Sequence, residues 1–92
     1  MKQLPKSILV EGKKYRIKQV YLQDTDDLDV CGFIIGADQT ILIDRRLSLP
    51  EKWETLLHEV LHILNWRLGE NTVTSLSSRL FGVLVSNDLL KI

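Results

Sequence analysis

The hydrophobic period of this 92-residue chain changes once, just after Asp44, and that switch constrains the fold more than any other feature. Before it, apolar residues alternate or come in short runs, as strands require; after it they recur every three to four positions, as on a helix. Ser7–Val10 is a short β-prone run, and residues 15–22 alternate, with Tyr15, Ile17, Gln19 and Tyr21 on one side. Glu11-Gly12-Lys13-Lys14 reads as a turn, and Glu11-Gly12 between the two runs predicts a hairpin. Residues 31–35 and 39–44 read as two further strands around a Gly36-Ala37-Asp38 turn. Ser48-Leu49-Pro50-Glu51 then has the form of a capping box with proline in the first turn, which opens a helix. Trp53, Leu56, Leu57, Val60, Leu61, Ile63, Leu64 and Leu68 put apolar side chains on nearly every face, so this helix is expected to be largely buried and to stop at Gly69. A second helix is expected over residues 71–85, carrying Val73, Leu76, Leu80, Val83 and Leu84. The order β-β-β-β-α-α predicts an α+β fold: a small antiparallel or mixed sheet of about four strands, followed by two packed helices. The length suits one domain spanning residues 1–92.

Composition narrows the classes of function. Hydrophobic residues make up 45% and charged residues 26%, values of a globular domain and not of a disordered chain. Twelve basic residues balance twelve acidic ones. A zero balance gives no overall field to attract nucleic acid or an acidic membrane, although it leaves room for a local patch. The lone Cys31 cannot form an internal disulfide, which fits a reducing, cytoplasmic setting. The longest apolar run, Leu80-Phe81-Gly82-Val83-Leu84-Val85, is far short of a membrane span, and Met1-Lys2-Gln3-Leu4-Pro5-Lys6 leads into no signal-peptide core. The expectation is a soluble intracellular protein.

His58-Glu59-Val60-Leu61-His62 carries the chemistry. The two histidines of the chain stand four residues apart, about one helical turn, so their imidazoles leave the same face of the first helix. Two nitrogens so placed can bind one Zn²⁺ at about 2.0–2.1 Å. Glu59 lies about 100° round the helix from His58, off the ligand stripe and beside the position of a metal-bound water. Zinc lowers the pKa of such a water to roughly 7, and a carboxylate can take its proton as it attacks a carbonyl. The pattern is rare by chance in a chain this short, and here it sits on a capped apolar helix.

A catalytic zinc site needs a third protein ligand and one open position. With no third histidine, the candidates are carboxylates or Cys31. Glu54 precedes His58 by one turn but lies about 12 Å along the axis from His62, too far to share an ion, and Glu51 is farther. Glu70, just past the Gly69 stop, can be brought back by a turn and is the favoured third ligand; Asp88 at the end of the second helix and Cys31 are the alternatives.

The run Glu54-Thr55-Leu56-Leu57-His58-Glu59-Val60-Leu61-His62 resembles the active helix of small, often phage-encoded metallopeptidases of the ImmA/IrrE-like group, within the thermolysin-like gluzincins. The preceding Thr40-Ile41-Leu42-Ile43-Asp44 is similar to the strand that leads into that helix. Downstream, such families carry Glu-x-x-(small)-(Asn or Asp)-x-(apolar)-(small), and Glu70-Asn71-Thr72-Val73-Thr74-Ser75-Leu76-Ser77 matches in spacing. Thr74 stands where those families have Asn or Asp to orient a zinc-bound histidine. The resemblance covers residues 39–90. It implies a minimal zincin-like domain in which His58, His62 and Glu70 hold Zn²⁺ and Glu59 is the general base and acid. It also implies a peptide or protein substrate, such as a single regulatory protein cut at one site, paired in extended form with an edge strand. Thr40–Asp44 is the expected edge. The competing expectation is a zinc-stabilised binding or regulatory module with little or no proteolysis.

Other features weigh less. Residues 24–29 carry four aspartates but lack the glycine and distal glutamate of a calcium loop, so a solvated loop is expected. Cys31 reads as a small core residue. Trp53 and Trp66 read as packing residues, with Trp66, one turn past His62, also placed to wall a metal pocket. Arg79 reads as a surface charge with an oxyanion contact as the alternative. Neither nucleic acid nor membrane is an expected partner.

Overall fold

The computed structural model describes residues 1–22 and 31–90. Its architecture is α+β: four strands, β1 (Ser7–Val10), β2 (Lys13–Val20), β3 (Gly32–Ile35) and β4 (Thr40–Asp44), then two helices, α1 (Leu49–Leu64) and α2 (Glu70–Ser86). The acidic run at residues 24–29 lies outside the described residues.

The first two strands form the expected hairpin, with Val10 opposite Lys13. Both turn residues have positive φ, 51° at Glu11 and 81° at Gly12, the left-handed pair of a type I′ turn. That turn matches the twist of the strands it joins, and glycine accepts it without strain. The sheet order is β1-β2-β4-β3, with β2 and β4 parallel and the other pairs antiparallel. Strand β4 is therefore central, not the expected edge. Its β-branched residues explain this: Ile41 and Ile43 are fully buried, and a strand that apolar needs neighbours on both sides. The shorter β3 takes the edge.

Pleating sends Ile17, Ile34, Ile41 and Ile43 to one face, where α1 covers them with Leu56, Val60 and Ile63. The N-terminal segment closes the same core, with Leu4 buried and Trp53 Nε1 donating to the Lys2 carbonyl at 2.6 Å. Helix α2 packs on α1 and on no strand, through Val73 and Ser77. No helix among the described residues is long and apolar enough to cross a membrane.

Helix α1 opens at the capping box as expected: Glu51 N–H donates to Ser48 Oγ, and Ser48 N–H donates to Glu51 Oε1. It is less buried than its composition suggests, with only Leu56 and Glu59 sequestered, because a single sheet layer covers a single side. It also stops at Leu64, five residues before Gly69. Asn65 ends it, its side-chain oxygen accepting the Arg67 N–H at 3.1 Å, a local turn that competes with continued helix.

Beyond the strand ends, Arg46 donates to both carboxylate oxygens of buried Asp44 and, at 2.8 Å, to the Leu22 carbonyl. The clamp ties the end of β4 to the chain leaving β2. These hydrogen bonds hold the Asp44 carboxyl at about 2, well below the usual carboxylate range. A depressed carboxylate stabilises the fold above its unfolded pKa and loses that contribution as pH falls through the folded one. Arg46→Gln should therefore lower urea stability at neutral pH, with the gap to the parent closing between about pH 4 and pH 2. A gap of constant size across that range would refute the clamp.

Gly32, at the start of β3, is a close-approach glycine. A Cβ there would lie 2.8 Å from the Leu42 carbonyl oxygen and 2.8 Å from Thr55 Cγ2. Since the Leu42 neighbour is the backbone of β4, relief requires β3 to shift against β4 as well as the Thr55 side chain to give way. Gly32→Ala should cost about 1–3 kcal/mol of stability in equilibrium denaturation; an unchanged midpoint would show that the strand moves freely.

Candidate metal centre

The roll of α1 on the sheet sorts its side chains. Leu56 points into the core, and at about 100° per residue Glu59 falls about 60° from it, on the buried side, while His58 and His62 fall on the side facing away from the strands. The turn at residues 65–69 then reverses the chain, and Glu70 enters as the first residue of α2. The second helix thus begins one residue earlier than its apolar spacing indicates.

This reversal brings His58, His62 and Glu70 together. Their potential ligand atoms all lie within 4.8 Å of one another, the one such group of three or more His, Cys, Asp or Glu among the described residues. His58 Nε2 and His62 Nε2 are 3.2 Å apart. Two ligands on one tetrahedral ion, each bonded at 2.0–2.1 Å, stand about 3.3–3.4 Å apart, so the pair is spaced to share a metal. Glu70 spans both rings, with Oε1 at 2.6 Å from His58 Nε2 and Oε2 at 2.9 Å from His62 Nε2. Two imidazoles and one carboxylate form a donor set that can hold a metal ion. The rings are largely sheltered, whereas the Glu70 side chain is 69% exposed, so the site opens toward solvent past its carboxylate.

Glu59 stands apart from this group and is 6% exposed. Burial pushes its carboxyl above the ordinary range; the two histidines pull it down, and the negative charge of Glu70 pushes it up again. Its side chain makes no hydrogen bond among the described residues, and none of them leaves a sealed, unpartnered polar atom. The carboxylate therefore keeps a path to solvent. An ideal Cβ on Gly32 would be 3.7 Å from Glu59 Oε1, so the edge strand begins beside this residue.

The alternative ligands are elsewhere. Asp88 and Cys31 are outside the cluster, Glu51 is engaged in the α1 cap, and Glu54 does not join. Cys31 is exposed and not a core residue, because β3 begins after it at the sheet edge. Trp66 walls nothing: it is 77% exposed in the turn, stacked with the Arg67 guanidinium. Arg79 is exposed on α2, as a surface charge.

The polar contacts of both histidines run through Nε2, and their Nδ1 atoms have no partner among the described residues. Thr74 is exposed and contributes its backbone carbonyl to Ser77 Oγ, with no bond to either ring. An orienting contact of the kind that usually fixes a ligating histidine is absent among the described residues. The proximity of Gly32 to Glu59 was not foreseen; an isolated glycine opening an apolar strand is the one signal that points to it.

With Zn²⁺ as the probe ion, Glu70→Ala should weaken metal affinity at least tenfold while leaving the sheet and α1 folded, as read by titration against a competing chelator and by circular dichroism. Affinity equal to the parent would make Glu70 only an acidic residue favourable at a helix N-terminus. Compared with protein-family models, curated proteins and solved structures, the chain matches none.

Proposed function

We propose that the chain is a zinc-dependent metallopeptidase, with His58, His62 and Glu70 as ligands and Glu59 as general base and acid. The observation that carries this reading is Glu59: a buried carboxylate with a raised pKa, unbonded, next to three converging ligands and outside their set. A purely structural ion would have no use for it. Zn²⁺ fits the two-imidazole, one-carboxylate donor set and, when bound, supplies the Lewis acidity that polarises a carbonyl and acidifies water to a pKa near 7. Glu59 takes a proton from the attacking water and returns it to the leaving amine, from a buried position beside the three candidate ligands. Strand β3 pairs with β4 alone among the described residues, so its other edge is available to an extended peptide beginning beside Glu59. The zincin-like character and the peptide substrate rest on the resemblance of residues 39–90 together with this geometry.

One observation favours the second reading, a zinc-stabilised regulatory module with little proteolysis: the Nδ1 atoms of both histidines have no partner among the described residues, and Thr74 is bonded to neither ring. Such ligands are less firmly oriented, which lowers turnover more than it prevents binding.

Glu59→Gln separates the two. It should retain near-stoichiometric zinc, while cleavage of a peptide library followed by mass spectrometry falls by 10²–10⁴-fold, about the loss expected for a missing general base. Zinc lost along with the carboxylate would make Glu59 a ligand, and cleavage at the parental rate would remove it from the chemistry.

A further inference from the structure

The outer face of the sheet is covered by neither helix, and it is built differently from the metal centre. Alternation along β2 places Lys14, Arg16 and Lys18 there, all three exposed. Alternate residues on a strand are about 6.6 Å apart, so the three cations form a line about 13 Å long. None of them has an ion-pair partner among the described residues. The acidic residue at an outer-face strand position, Asp44, is already held by Arg46, and Glu11 and Asp38 in the flanking turns pair with none of the three. The zero net charge of the chain thus conceals a segregated basic stripe.

Apolar groups lie beside the stripe in register. Lys18 is opposite Leu42, and Leu42 is opposite Phe33, so one row across the sheet reads cation, aliphatic, aromatic. Leu9 flanks Lys14 in the same way. Phe33 is 42% exposed and Leu9 is 74% exposed.

We propose that this face binds single-stranded nucleic acid, with Lys14, Arg16 and Lys18 against successive phosphates and Phe33 stacked on a base. A line of unpaired cations complements a repeating anion, and an exposed aromatic on a flat sheet gives an unstacked base a platform. A duplex fits less well, because the face projects no helix or ribbon into a groove. An acidic peptide would satisfy the charges but leave Phe33 and Leu42 in water. The surface needs no metal and is independent of the peptidase reading.

Fluorescence anisotropy of the full chain with a short labelled oligothymidylate tests the proposal. Binding should appear at low salt, with log K falling against log salt at a slope of about −2, the value for three phosphates at −0.7 each. Arg16→Gln and Lys18→Gln should each reduce that slope by about 0.7. Phe33→Ala should weaken binding about fivefold or more without changing the slope, because stacking releases no counterions. The two cation variants are at exposed positions and keep the test sound if Phe33→Ala disturbs the sheet. Absence of binding at low salt, variants that bind like the parent, a preference for duplex of equal length, or displacement of the oligonucleotide by polyglutamate at equal charge would each overturn the proposal.

Discussion

The contact of Leu56 with Ile41 and Ile43 sets the roll of α1, and the arrangement of the site follows from it. A helix has one rotational freedom on a flat sheet, and burial of a single apolar position removes it. Once Leu56 is inside, the four-residue spacing sends both imidazoles outward and the odd residue between them inward. The contrast between two candidate ligands on the side away from the strands and a carboxylate sequestered toward them therefore comes from helix geometry acting on a packed core. The fully buried isoleucines of β4 are as much a part of the site as the histidines, since a shift in that strand would rotate every group above it.

Local signals were legible where one interaction decides the outcome. The capping box, the first hairpin and the four strand segments each follow from a short pattern, and the structure contains all of them, although the turn is shorter than expected because Lys13 and Lys14 join β2. The end of α1 was not legible in the same way, because two stop signals compete: Gly69 permits a stop, whereas Asn65 actively forms one by binding the Arg67 amide. Burial of α1 was overestimated for a related reason. Apolar content indicates what a helix would bury if surrounded, but not how many layers surround it.

Strand order was the least legible feature, and it reverses the expectation about the sheet edge. A run such as Thr40–Asp44 indicates a strand, and its pairing with β3 is local, Ile35 opposite Thr40, yet its central place depends on a second, distant neighbour, β2, with Arg16 opposite Thr40. The same non-local geometry hid the approach of Gly32 to Thr55 and Glu59. At the site itself, the residue types and the spacing of His58, Glu59 and His62 were readable, and Glu70 was within reach because only a turn separates it from them. The missing partners of the histidine Nδ1 atoms were not, since Thr74 has a hydroxyl capable of the contact and only its placement on α2 excludes it.

Helix α2 touches α1 and nothing else among the secondary-structure elements, and its first residue is the exposed carboxylate of the metal cluster. In terms of native-state fluctuation, this makes it a separable unit: it can swing off and return while the hydrogen-bond ladder of the sheet remains intact. The three ligands fall within thirteen consecutive residues, so the ring closed by an ion is short and contains no strand. Loading the site thus acts on one hinge and stiffens the helical hairpin alone, and the amide protons of α2 are the place where occupancy would register as slowed exchange.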